Sequence, residues 1–163
     1  MNLKIEEDTP KTAEHILVCL SAAPSNQKIV DTAAKMANVL QARFTALYVQ
    51  TGTKSEALDK EKLEEHIRYA ERLGAEIVMT HGENIPVQIA EYARLSNVTK
   101  IVIGQSNARR NHFFSKSALT EKLIEIVPDI DIHIIPDAVK TSSYQKHPFT
   151  WYVEKPSVKD YFL

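Results

Sequence analysis

Five short apolar runs alternate along the chain with longer stretches whose apolar residues recur at helical spacing. The first run, His15 to Leu20 (HILVCL), is continuous, the pattern of a strand buried on both faces. A short loop, SAAPSN, follows it, with Ser25 or Asn26 available as a helix cap. Ile29, Ala33, Met36, Ala37 and Leu40 then form one helical stripe. Arg43 to Gln50 (RFTALYVQ), rich in aromatic and β-branched residues, predicts a second strand. Beyond the loop Thr51–Lys54, Ser55 offers a cap for a charged helix. Its inner stripe is Leu63, Ile67 and Ala70, and Gly74 closes it. Ala75 to Thr80 is the third strand, and Pro86 suits the first turn of a helix running to about Leu95. Thr99 to Gly104 is the fourth strand. A last helix carries Leu119, Leu123 and Ile126 and stops at Pro128. From Asp129 to Ile135 the chain alternates, with Ile130, Ile132 and Ile134 opposite Asp131 and His133, as on a half-exposed edge strand. Strand–helix alternation of this kind predicts an α/β fold: one five-stranded parallel sheet with helices on both faces and right-handed crossovers.

Composition narrows the function. A chain of 163 residues with 44% hydrophobic and 25% charged residues suits one ordinary globular domain. Its formal net charge of -1 argues against general nucleic-acid binding, so an anion site has to be local. Such a site is visible in Lys100–Leu119, KIVIGQSNARRNHFFSKSAL. No Asp or Glu occurs between Glu91 and Glu121, while Arg109, Arg110, Lys116 and His112 cluster after the strand that ends in Gly104 and is followed by Ser106. A strand–glycine–loop–helix unit offers backbone N–H groups and a positive helix end to an anion, so the stretch points to a phosphate-bearing ligand. The competing reading is a solvated basic loop.

Other chemistry is missing from the sequence. There is no Walker A motif and no nucleophile elbow, and the six histidines form no helical metal-ligand pair. His15 and Cys19 share a strand face, a matter of core packing rather than of zinc. Asp129 and Asp131 read as edge-strand polar residues, and His81 as a loop residue. The single cysteine fits a reducing cytoplasm, and the polar, acidic start (residues 1–14) reads as a leader or linker with no secretory signal. Residues 15–137 form the expected domain. The segment 138–163 differs from it, because the last twenty residues hold six of the chain's twelve aromatics. It reads either as a flexible tail or as a segment that packs on a partner or a membrane surface.

The order HILVCL, AERLGAEIVMTHGENIPVQIAEYA, NVTKIVIGQS, DIDIHIIP resembles the universal stress protein fold, also described as adenine-nucleotide α-hydrolase-like. Within it, the chain is most similar to the universal-stress-protein-like domain of KdpD potassium sensor kinases. The match covers about residues 13 to 137, and the tail resembles the segment leading into that kinase's first membrane helix. The resemblance implies sheet order 3-2-1-4-5, with SAAPSN facing the Gly104 loop across the crevice at the reversal point. It implies a cytoplasmic sensory domain without catalysis of its own, tethered to the inner membrane face where it is part of a full-length kinase. Nucleotide-binding stress proteins carry Gly-two residues-Gly-nine residues-Gly-Ser/Thr after strand four. Here Gly104 matches, Asn107 replaces the second glycine, and Ser117-Ala118 stand in place of Gly-Ser, which weakens a triphosphate cradle.

A second family motif matches more fully. Some KdpD proteins bind cyclic di-AMP through Ser-X-Ser, twenty residues, then Phe-Thr-Ala-X-Tyr. This chain has Ser21, Ala23 in place of the second serine, the same gap, then Phe44, Thr45, Ala46 and Tyr48, with Ser25 as a substitute hydroxyl. Arg109 and Arg110 are the implied phosphate partners, with Lys116 and His112 behind them. The ligand implied is cyclic di-AMP, with ATP or AMP as the alternative. The implied role is control of potassium uptake through the kinase core, another stress protein or a homodimer. A ligand-free docking module, working through the edge strand or the aromatic tail, is the remaining reading.

Overall fold

The computed structural model describes residues 13–52, 57–105 and 116–136, with backbone alone for 116–118. In chain order the elements are β1 (His15–Cys19), α1 (Asn26–Leu40), β2 (Arg43–Gln50), α2 (Ala57–Arg72), β3 (Glu76–His81), α3 (Ile85–Leu95), β4 (Lys100–Gly104), α4 (Lys116–Ile126) and β5 (Asp131–Ile135). The sheet is parallel throughout and ordered β3-β2-β1-β4-β5, the expected reversal between β1 and β4. The expected leader, the cap at Ser55 and the aromatic tail lie outside the described residues, apart from Ala13 and Glu14.

Strand alternation divides the core in two. Ile16, Val18, Ala46 and Val102 face α1 and α2, packing against Ile29, Val30, Ala33 and Ala70. Leu17, Leu47, Ile101 and Ile103 face α3 and α4, packing against Ile89, Ala93 and Leu123. The continuous apolar run of β1 follows from this, since the central strand is covered on both sides.

Local chemistry sets the element ends. Gly74 adopts φ +90 after α2, as its place in the sequence predicts. The end of α1 is less orthodox, because Gln41 takes the left-handed conformation at φ 50 and its N–H reaches back to the helix carbonyls. Asn84 caps α3 through its side chain, which accepts from the Val87 N–H, and Pro86 sits in the first turn. At α1, Ser25 occupies the cap position but its hydroxyl makes no capping bond.

Two sequence expectations change. The Asn26 side chain does not cap α1; it turns back to the Cys19 carbonyl, 3.3 Å away. The inward face of β5 is also not uniformly apolar. Ile130 and Ile132 pack on the α3–α4 core and Ile135 on the other, while Ile134 is 47% exposed and His133 is half-buried. An edge strand covered unevenly by its helices keeps no clean two-sided pattern.

Candidate functional site

Because the strand order reverses between β1 and β4, the chain leaves these neighbours on opposite faces of the sheet. A crevice opens at their carboxyl ends. Its cavity volume is about 320 Å³. The β1–α1 loop forms one wall with Ser21, Ala22, Ala23 and Ser25, and the other rim is Ile103, Gly104 and Leu119. Asn26 and Ile29 of α1, Leu47, Tyr48 and Val49 of β2, Thr51 beyond it, and Ile85 and Ile89 of α3 complete the lining with Cys19 and Leu20. The inner residues Ile29, Leu47, Ile89 and Ile103 are each at most 2% exposed. No charged side chain lines the cavity among the described residues.

The small-residue loop is held by its own backbone. The Ser21 hydroxyl accepts from the Ala23 N–H at 3.3 Å, and the Ala23 carbonyl accepts from the Asn26 N–H at 2.9 Å. The Ser21 carbonyl is paired in turn with His66 Nδ1 of α2 at 2.8 Å. A carbonyl can only accept, so the proton of that bond sits on Nδ1. With Ala22 and Ala23 beside it, this tied-down loop lets a flat ring approach the backbone closely.

Gly104 has a steric role at the opposite rim. A Cβ placed there would fall 2.2 Å from Ile29 Cδ1, so β4 can end against α1 only as glycine. Cys19 lies between the two rims. Burial pushes its thiol up to about 12, which keeps it protonated and inert at neutral pH. No cluster of three His, Cys, Asp or Glu residues able to hold a metal occurs among the described residues. Among the same residues, no helix is long and apolar enough to cross a membrane.

The Phe-Thr-Ala-X-Tyr stretch is divided by the strand it sits on. Tyr48, at the carboxyl end of β2, reaches the crevice. Phe44 packs against the α1–α2 core, and Ala46 is wholly buried within it. Thr45 lies three residues before Tyr48, a rise of about 10 Å along the strand, and points to the other face. It is fully buried, and its hydroxyl pairs with His15 Nε2 at 2.8 Å. His15 Nδ1 pairs with the Ser96 carbonyl at 2.9 Å, so Nδ1 carries the proton and the Thr45 hydroxyl donates to Nε2. His15 and Thr45 therefore close the amino-terminal end of the sheet, where Thr99 Oγ1 also accepts from the His15 N–H.

Of the sequence-derived candidates, the fold brings together Ser21, Ala23, Ser25, Tyr48 and Gly104. Thr45, Phe44 and Ala46 are placed elsewhere. Ser106, Arg109, Arg110 and His112 lie outside the described residues, and for Lys116 only the backbone position at the start of α4 is described. The described residues flanking that basic segment, Gly104 and Leu119, both line the crevice. Sequence reasoning missed Asn26, His66 and the α3 residues Ile85 and Ile89. The two isoleucines are legible afterwards as an i, i+4 pair at the start of the helix that follows β3. The role of His66 had no local signal.

No family model matches the chain. It is 40% identical over 139 residues to the sensor protein KdpD of Clostridium acetobutylicum, a match covering 83% of this chain and 15% of that protein. The chain thus spans a small part of the curated relative. Its fold matches a universal stress protein from Lactobacillus plantarum at TM-score 0.56, with 20% identity, covering 75% of this chain and 97% of that one. It also matches a universal stress protein solved in complex with cAMP at TM-score 0.58, with 16% identity, covering 77% of this chain and 98% of that one. Parallel order β3-β2-β1-β4-β5, a crevice at the β1/β4 reversal and these relatives together identify the chain as a universal-stress-protein-like domain of the KdpD type.

Proposed function

We propose that the crevice binds cyclic di-AMP and that this domain passes the ligand's presence to a KdpD-type kinase controlling potassium uptake, without catalysing a reaction itself. The observation that carries the reading is the division of the site. The described walls are neutral and mainly apolar, suited to a purine ring, while the basic segment with Arg109, Arg110 and Lys116 joins the sheet at the rim. A cyclic dinucleotide carries two separated single charges, which discrete arginines meet better than a glycine-lined triphosphate cradle does. Asn107 and Ser117-Ala118 stand where that cradle would need glycines, which disfavours ATP. The neighbour solved with cAMP supports an adenine nucleotide as the class of ligand.

On this reading the domain works on the cytoplasmic side, tethered to the membrane only through segments of the whole kinase. The kinase core or a second copy of the domain receives the signal. Isothermal titration calorimetry with cyclic di-AMP, AMP and ATP tests the proposal. Binding of the cyclic dinucleotide in preference to ATP is expected. No heat with cyclic di-AMP at concentrations that would register micromolar binding overturns it, and preference for ATP would return the domain to the conventional stress-protein class.

A further inference from the structure

We infer that Asn26 reads the base: its Oδ1 accepts a hydrogen bond from the exocyclic amino group of a purine and selects a 6-amino ring over a 6-oxo ring. This inference rests on the proposed nucleotide reading of the crevice. It adds a residue and a chemical criterion that the sequence motifs did not contain.

Asn26 lines the crevice and is 1% exposed. Its Nδ2 donates to the Cys19 carbonyl at 3.3 Å. That bond fixes which way round the amide sits, since the opposite orientation would set oxygen against oxygen. Oδ1 is therefore left as a pure acceptor, and it has no hydrogen-bond partner among the described residues. An acceptor removed from water and left unpaired is costly, so such an atom in a cavity wall specifies a donor on whatever fills the cavity.

The surroundings indicate which donor this is. Ile29, Leu47, Ile89 and Ile103 form the buried walls around Asn26, and no described charged side chain lines the cavity. A phosphodiester cannot shed its water among such residues, whereas a planar base can, so the ring goes inward and the phosphates stay at the mouth. The donor that an adenine ring offers on its edge is its amino group. A 6-oxo purine places a carbonyl there instead, facing Oδ1, and its ring N–H lies one position away. A site built around a hydrogen bond rejects the analogue lacking the matching group far more strongly than an apolar site rejects a change of shape.

Calorimetry of the unaltered protein with cyclic di-AMP and with its di-inosine counterpart provides the first arm, with about tenfold or greater preference for the amino ligand expected. In the second arm, Asn26→Ala, with its fold checked by circular dichroism, should bind the amino ligand more weakly and bring the two affinities within about threefold, as expected once the discriminating acceptor is gone. Equal binding of both ligands by the unaltered protein overturns the role of Asn26 while leaving the nucleotide site standing. Binding of neither overturns both. A preference that survives Asn26→Ala assigns base reading to another group and likewise overturns the inference.

Discussion

The contact between Gly104 and Ile29 gives the most direct test of how the crevice is built. In Gly104→Ala, the new methyl would lie 2.2 Å from Ile29 Cδ1. Carbon atoms at rest stand about 3.5–4.0 Å apart, so the isoleucine tip has to retreat by more than about 1 Å. Ile29 is 2% exposed and packed against Val18, Ala33 and Val102, so the space open to it is the crevice itself. Overpacking of this kind costs about 1–3 kcal/mol, while replacing glycine returns about 0.4–1 kcal/mol by stiffening the unfolded chain. Steric strain wins, leaving a net loss of about 0.5–2.5 kcal/mol and a melting temperature lower by about 2–8 °C.

Removing the offending carbon provides the control. Ile29→Val deletes Cδ1 and leaves Cγ1 at 3.4 Å from the added methyl, an approach the neighbour can accommodate. Alone it should cost about 0.5–1.5 kcal/mol; combined with Gly104→Ala it should restore much of the loss. Urea denaturation of the four proteins gives a coupling energy, expected to reach about 1 kcal/mol or more. Additive effects, within about 0.5 kcal/mol, would refute the reasoning, because the clash would then not govern the site. Nucleotide affinity should follow the same cycle, falling when the tip is pushed into the crevice and recovering in the double variant.

Thr45→Val leaves His15 Nε2 without its donor and should lower stability by about 1–3 kcal/mol; a loss of ligand affinity in protein that remains fully folded would instead return Thr45 to the site. The Cys19 thiol titrates at about 12 in the fold against its usual 9.0. The raised value means that its contribution is intact below pH 9 and is lost as pH rises through about 12. Urea unfolding between pH 8 and pH 10.5 should therefore show an alkaline decline that is smaller in Cys19→Ala, and a thiol reagent at pH 8 should modify native protein far more slowly than unfolded protein; rapid native labelling would contradict the inert thiol. Arg109→Ala combined with Arg110→Ala should weaken cyclic di-AMP binding by about 1.5–3 kcal/mol per lost charged bond and reduce its salt dependence. Unchanged affinity would remove the basic segment from the site.

Sheet order, element type and the division into two cores were legible because burial imposes itself on every residue of a strand. HILVCL announces a covered central strand, and the stripe through Ile29, Ala33 and Ala37 announces the face of α1. The site was only half legible. Ser21, Ala23 and Gly104 could be anticipated because they lie next to strand ends, and topology alone carries strand ends to the crevice. The sequence could not reveal that Asn26 turns away from the helix it precedes, because an asparagine there reads as a cap. Nor could it link His66 to Ser21, forty-five positions away. The stretch FTALY shows the opposite failure. Its five residues are contiguous in sequence but span both faces and both ends of β2, so a motif match does not imply a shared contact.

The two ends of the sheet divide the work. At the amino-terminal end, His15, Thr45, Ser96 and Thr99 pair with one another and leave no side-chain polar atom of their own for a ligand. At the carboxyl end, polar groups are also tied down, but to backbone: Ser21 to Ala23, His66 to Ser21, Asn26 Nδ2 to Cys19. These bonds fix the shape of the loop before anything binds, so the ordering entropy is not charged to the ligand. The arrangement stops one bond short of completion, at Asn26 Oδ1. If sensing works through this crevice, discrimination between purines should be lost when Oδ1 is removed, whereas changes at His15 or Thr45 should lower stability without altering that discrimination.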